Sequence, residues 1–308
     1  MHIFLIGLFL FLLGLEGTKR SIKIIATAKI KAILQGLSEN IFLAVLIGTI
    51  ITAVLQSSSA VTIILIALLE AGLLNIRSAM GIVLGANIGT TVTVQIISLP
   101  ILSFFPLIII SGVVLILIGI IFRSKIFFGG LAIFSFGIVL AGLELMTGYF
   151  QNPGTHRLIE HCLAYSGTNP YKGILVGILI TGVIQSSSLV TGITVVLANN
   201  NLITLASAVA ITLGSNIGTC VTAFIASINS GQVARSMVWG HFFFNLIGVL
   251  VILPGLGWFI ALVRMSSPNL VRQIANAHTL FNLFNLLLFL PFLNPFISFL
   301  GGNKDGDN

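Results

Sequence analysis

The sequence predicts an all-α polytopic membrane protein built as an inverted-topology repeat, with two re-entrant helical hairpins and broken transmembrane helices. Three observations carry that expectation. Of the 308 residues, 57% are hydrophobic and only 7% are charged, whereas a soluble domain carries about 25% charged residues. Gln56-Ser57-Ser58-Ser59 returns as Gln185-Ser186-Ser187-Ser188, 129 positions later, each copy in the middle of a long apolar run. Gly85-Ala-Asn-Ile-Gly-Thr-Thr-Val-Thr93 returns as Gly214-Ser-Asn-Ile-Gly-Thr-Cys-Val-Thr222 at the same offset. Two motifs holding one register indicate a duplicated unit.

The units divide the chain into a first repeat at 1–126, a second at 127–253, and a surface segment, last span and polar tail at 254–308. Within the first repeat, Ile3 to Leu15 reads as a helix. It lacks the basic leader and small-residue cleavage site of a signal peptide, so it is kept as a membrane segment. Lys19, Arg20, Lys23, Lys29 and Lys31, spaced by isoleucines, suggest a separate amphipathic helix on the cytoplasmic face.

The apolar stretch 40–74 is too long for one span and too short for two with a loop. Its polar centre divides it into two half-length arms, so it reads as a hairpin that enters and leaves by one face. Backbone of that kind is tolerated at membrane depth only under protein or beside a water-filled cavity. Glu70 then lies near the exit and Arg77 at an aqueous face.

Ser78 to Leu99 follows, with two glycines around Asn87 predicting an unwound centre. Pro100 and Pro106 bracket a turn, and Leu107 to Phe122 is the next span. Phe127 to Tyr149 opens the second repeat, its Gly142-Leu143-Glu144 echoing Gly14-Leu15-Glu16 one residue short of the offset. The polar loop from Gln151 to Lys172 holds His156, Arg157, Glu160, His161 and Cys162. The second hairpin is expected at 173–201, a second broken span at Leu202 to Ile228, a helix at Met237 to Leu253 and the last span at Ala275 to Leu300.

Hairpins make three crossings per repeat, which inverts the second copy. Through Arg235, nine basic residues then face the cytoplasm and two face outward. Full spans would instead give a parallel repeat and eight against three, so charge bias barely separates the models. The short arms favour the hairpin. The inverted model has seven crossings in the inner (plasma) membrane, with the amino terminus outside and the carboxyl terminus cytoplasmic.

Hydroxyl clusters at a helix restart, beside free amides and a positive dipole end, suit an oxyanion. If inverted, the two tips converge and six serines surround one small anion. No cation lies beside either motif in the sequence, and a bare dianion in a low-dielectric site requires compensating charge. Amide and hydroxyl oxygens of the Asn-Ile-Gly-Thr segments suit sodium. Cation-coupled anion transport is the reading, with another small anion (sulfate, arsenate or a carboxylate) or an anion channel as alternatives.

The net charge of +7 lies mainly in loops and is no nucleic-acid signal. An enzyme is not expected, because no nucleophile, base and orienter are placed together and no ligand-spaced His/Cys/Asp/Glu group is present. No cofactor beyond coupling sodium ions is expected. Cys220, opposite Thr91 of the other repeat, reads as packing, and Glu16 and Glu144 as interfacial. A further repeat, Arg235-x5-His241-x3-Asn245 and Arg272-x5-His278-x3-Asn282, recurs at an offset of 37. It suits either an intramembrane functional role or helix–helix hydrogen bonding.

These motifs resemble the type II sodium/phosphate cotransporter family, from Ile3 to about Leu300. The doubled Gln-Ser-Ser-Ser, the two Gly-x-Asn-Ile-Gly-Thr units and the Arg-x5-His-x-x-Phe-Asn elements carry the resemblance. It implies sodium-driven phosphate movement by an inverted repeat with two re-entrant hairpins. It would place phosphate at Ser57, Ser58, Ser59, Ser186, Ser187 and Ser188, and sodium at oxygens around Gln56, Gln185, Asn87, Thr90, Asn216 and Thr219. Inorganic phosphate, sodium and the lipid bilayer are the expected partners, and a homodimer is an expectation for assembly. Many bacterial relatives carry a cytosolic helical domain similar to the phosphate-uptake regulator PhoU, where this sequence has a short Gly/Asn/Asp tail.

Overall fold

A computed structural model describes residues 2–35, 40–99, 104–150 and 169–301. Among the described residues the ordered elements are helices. The first is α1 (His2–Gln35), followed by α2 (Ile41–Leu55), α3 (Ser58–Glu70), α4 (Ile76–Ile97), α5 (Phe105–Ile121) and α6 (Ile126–Phe150). The second half contains α7 (Pro170–Ile184), α8 (Ser187–Asn199), α9 (Leu205–Gly218), α10 (Cys220–Ala226) and α11 (Gln232–Ile252). A 3-10 turn at Pro254 leads into α12 (Leu256–Met265), and α13 (Leu270–Phe289) and α14 (Leu293–Phe299) complete the order.

Among the described residues, five stretches are long and apolar enough to cross a bilayer: Ile76–Ile97, Ile126–Met146, Leu205–Ala226, Gln232–Met265 and Leu270–Phe299. Large apolar side chains point outward on α5, among them Leu107, Ile110, Leu117 and Ile121. This is the surface of a multi-pass membrane protein, where lipid replaces a second layer of core.

Several expectations change in detail. The first helix and the basic segment after it form one helix, not two. Gly14 and Gly17 do not break it because α6 packs against them, and Thr18 and Ser21 donate their hydroxyls to the carbonyls of Gly14 and Gly17, each at 2.8 Å. The side chains of Lys19, Lys23, Lys29 and Lys31, which would define an amphipathic face, lie outside the described residues, as do residues 100–103 and the polar loop at 151–168. The second hairpin begins at Pro170, capped by Asn169, and not at Gly173. Trp258 stands exposed on the surface segment, which is itself a helix. The last span starts earlier than Ala275, at Leu270, and turns 3-10 at Pro291.

The expected unwinding around the Asn-Ile-Gly-Thr units does not occur. α4 is continuous through Gly85, Asn87 and Gly89. In the second copy only Thr219 separates α9 from α10, and its φ of −61° and ψ of −26° are helical. The glycines serve close packing instead. A Cβ on Gly85 would strike the carbonyl of Val45, and one on Gly214 the carbonyl of Ile174. Gly48 and Gly177 make the reciprocal approach to the carbonyls of Ile82 and Ile211.

Those approaches also give direction. Gly81 meets Ile41, Gly85 meets Val45 and Gly89 meets Thr49, so α2 and α4 run parallel. α3, joined to α4 by residues 71–75, therefore runs antiparallel to both. α7 and α9 are parallel in the same register, Gly214 on Ile174 and Gly218 on Ile178. α1 and α6 are antiparallel, with Gly7 against Gly142 and Gly14 against Ser135.

Candidate functional site

Both Gln-Ser turns have one geometry. α2 ends at Gln56 with φ 51° and ψ 32°, and α7 ends at Gln185 with φ 59° and ψ 30°. Left-handed backbone is uncommon for a residue with a Cβ, and its occurrence at both copies marks an imposed turn. The Gln amides donate to Thr52 O (2.7 Å) and Thr181 O (2.6 Å), closing the first arms. The next residue is extended, and its hydroxyl oxygen caps the second arm. Ser57 Oγ accepts from Ala60 N at 3.2 Å, and Ser186 Oγ accepts from Leu189 N at 3.4 Å.

Ser57 and Ser186 thus hold the helix starts, an N-cap preference shared by small polar residues. The following amides, at Ser58 and Ser59 and at Ser187 and Ser188, precede the first intrahelical bond and face out of the helix start.

The two turns, far apart in sequence, meet. One cavity is lined by Gln56, Ser57, Ser58, Ser59 and Thr90 from the first copy and by Gln185, Ser186, Ser187, Ser188 and Thr219 from the second. It is tight, with a volume of about 10 Å³. Among the described residues its lining is uncharged. Thr90 and Thr219 each donate to the carbonyl four residues back, both at 2.9 Å. Gln56 Oε1 is buried with no hydrogen-bond partner.

Asn87 and Asn216 are not on that wall. They lie one turn before Thr90 and Thr219 on the same helices and are tied to the His/Asn repeat. Asn87 Oδ1 accepts from His241 Nε2 at 3.1 Å, and Asn87 Nδ2 donates to Asn245 Oδ1 at 3.3 Å. Asn216 Oδ1 accepts from His278 Nε2 at 3.2 Å and from Asn282 Nδ2 at 3.3 Å. All six side chains are buried. The helix–helix hydrogen-bonding reading of that repeat is therefore the one the geometry carries.

Cys220 packs into the same network, with Asn245 Nδ2 3.6 Å from its sulfur. Glu16 is exposed in an ion pair with Arg20 at 2.7 Å, and Glu144 is exposed. Both sit away from the cavity lining.

Sequence reasoning overlooked two matched residues. Thr52 and Thr181 are fully buried with unpartnered hydroxyls, one turn before the Gln turns. Their shared register was the signal. Asn285 was also overlooked, fully buried with both amide atoms unpartnered, and no repeat flags it.

Comparison with known proteins agrees with this duplicated architecture. The Na+/Pi-cotransporter family profile matches residues 10–148 and 151–287. The Bacillus subtilis (strain 168) protein YqeW is 31% identical over 262 residues, covering 84% of this chain and 83% of its own. The Escherichia coli (strain K12) "Putative inorganic phosphate export protein YjbB" is 27% identical over 229 residues, 74% of this chain but 41% of its own length. Human "Sodium-dependent phosphate transport protein 2B" is 37% identical over 93 residues, 28% of this chain and 14% of its own. No solved structure matches the chain. With the profile matched across both halves, the chain belongs to the Na+/Pi-cotransporter family.

Proposed function

We propose that this protein couples sodium movement to the movement of inorganic phosphate across the membrane by alternating access. The observation that carries the proposal is the meeting of both Gln-Ser-Ser-Ser turns in one uncharged cavity. Hydroxyls and helix-start amides from two sides supply donors for an oxyanion. The lining supplies no positive charge, so the charge that accompanies the anion is mobile. Two unit charges about 4 Å apart attract by roughly 4 kcal/mol at an effective dielectric near 20.

On this proposal Ser57, Ser58, Ser59, Ser186, Ser187 and Ser188 hold phosphate. Gln56, Gln185, Thr90 and Thr219 give oxygens to sodium, and Asn87 and Asn216 stand behind the two threonines. The names of the YjbB and 2B relatives, which refer to phosphate, favour that anion over sulfate or a carboxylate.

The inverted repeat and the re-entrant hairpins belong to the same proposal, and three facts support them. α2 and α3 have 15 and 13 residues, or roughly 20 Å each at 1.5 Å per residue, short of a ~30 Å hydrocarbon core. At the offset of 128 that relates α1 to α6, position 7 corresponds to 135 and 142 to 14, so the Gly7–Gly142 approach maps onto the Ser135–Gly14 approach, as a two-fold between antiparallel equivalents requires. Finally, Glu70, ending α3, bonds to Gly231, whereas Asn199, ending α8, lines a cavity with Asn269 and the end of α4. The two hairpins therefore open toward opposite ends. The amino terminus is then outside and the carboxyl terminus cytoplasmic.

The cavity has room for about one water centre, so the tips must part to admit a tetrahedral ion. That is the motion alternating access needs. The test is labelled-phosphate uptake into proteoliposomes under an inward sodium gradient. Uptake is expected for the wild type and lost in Ser58→Ala/Ser187→Ala. Equal uptake with sodium replaced by choline sinks the proposal.

A further inference from the structure

A second cavity of about 550 Å³ lies at the carboxyl end of α4. Its wall includes Ile97, Ser98, Val195, Asn199, Asn269 and Arg272, and Arg272 is the charged residue of its lining. The cavity is in line with the serine site. Thr90 and Ile97 of α4 line the small and the wide cavity respectively, and Ser188 and Val195 of α8 do the same. Both steps are seven residues, so the two helices run side by side from one cavity to the other, a distance of about 10 Å. The intervening turns carry the buried side chains of Thr91, Val94, Thr191 and Thr194.

We infer that this wide cavity is the vestibule through which the anion reaches the serine site, and that Arg272 is the charge that recruits it. The inference rests on the transport reading above.

Arg272 is well placed for such work. It is half-buried and fixed by its donation to Gln95 O (3.4 Å) and Ser98 Oγ (3.3 Å). Among the described residues, the lining of the space it faces contains no carboxylate. A fixed cation in a partly low-dielectric cleft raises the local concentration of anions and their arrival rate. A fixed cation in the serine cavity itself would slow release of the anion, whereas one about two turns away attracts it without retaining it.

The opposite end of the molecule supplies the contrast. Glu70 is the repeat equivalent of Asn199. Its Oε1 accepts from Gly231 N at 2.7 Å, joining the end of α3 to the start of α11. Gly231 precedes α11 as Pro268 precedes α13 in the His/Asn repeat. One end is thus fastened by the Glu70–Gly231 bond, and the other has a wide cavity bearing an arginine.

The test is the phosphate dependence of initial sodium-driven uptake in right-side-out and inside-out membrane vesicles. Arg272→Gln is expected to raise KM for phosphate about three- to tenfold in one vesicle orientation, with kcat and sodium activation unchanged. Arg272→Lys keeps KM within about twofold, and raising ionic strength narrows the gap between Gln variant and wild type. Asn269→Asp is the second variant. Asn269 caps α13 by accepting from Arg272 N at 3.2 Å, and aspartate keeps that cap while adding a negative charge to the wall. It should raise KM in the same orientation even if Arg272→Gln misfolds.

An unchanged KM for Asn269→Asp in both orientations overturns the inference. So does a fall in kcat alone, or an anionic lipid that copurifies through Arg272 while KM stays put. If the wild type shows no sodium-driven uptake, the transport reading itself has failed. Uptake with an unmoved KM removes only the vestibule.

Discussion

Gln56 and Gln185 hold left-handed backbone at the two points where the chain reverses, at a cost of roughly 1–2 kcal/mol each. Glycine adopts that conformation freely. Gln56→Gly should therefore leave the thermal midpoint in detergent unchanged or raised, while sodium-driven uptake falls at least tenfold because the side-chain oxygen is gone. A midpoint that falls with uptake preserved would place the side chain's role in folding. The Asn87–His241–Asn245 and Asn216–His278–Asn282 groups behave differently, being buried hydrogen-bond clusters between helices. Intramembrane hydrogen bonds of this kind average about 0.6 kcal/mol, and an orphaned buried partner costs about 1–3 kcal/mol. Asn245→Ala and Asn282→Ala should each lower the thermal midpoint by a few degrees, and by similar amounts, as read by thermal unfolding in detergent.

Among the elements, the α2–α4 and α7–α9 pairs depend on glycine at the crossing. Gly85→Val and Gly214→Val should prevent recovery of folded protein, because the added atoms meet the carbonyls of Val45 and Ile174. Gly129, on α6, faces open space. Gly129→Ala should be neutral or gain up to about 1 kcal/mol from helix propensity, which a melting comparison checks. The same glycines mark where the sequence was legible and where it was not. The turns at Gln56 and Gln185 could be located because polar residues inside apolar arms have few other roles. Gly85 and Gly89 could equally mean unwinding or close approach, and only the position of α2 decides. The pairing of Asn87 with His241 was hidden for another reason. The repeats of 129 and 37 positions are independent, so nothing in spacing links them.

At the scale of the whole molecule, the antiparallel packing of α1 on α6 and the inverted hairpins proposed above predict topology. An impermeant thiol reagent applied to intact cells should label single cysteines placed at position 2 and within 151–168. It should not reach cysteines at Asn40 or Asn75. Labelling of Asn75→Cys together with position 2, with Asn40→Cys unlabelled, would mean a parallel arrangement. The central claim, that uncharged turns hold an anion only together with cations, is a statement about linkage. Sodium and phosphate must each raise the affinity of the other by one common factor. The most direct measurement is equilibrium binding of labelled phosphate to the purified protein across a sodium titration. Phosphate affinity should rise at least about tenfold from choline to saturating sodium, within the usual 5–150-fold range of such coupling, and vanish in Ser58→Ala/Ser187→Ala. Phosphate binding of equal affinity with and without sodium would contradict the account.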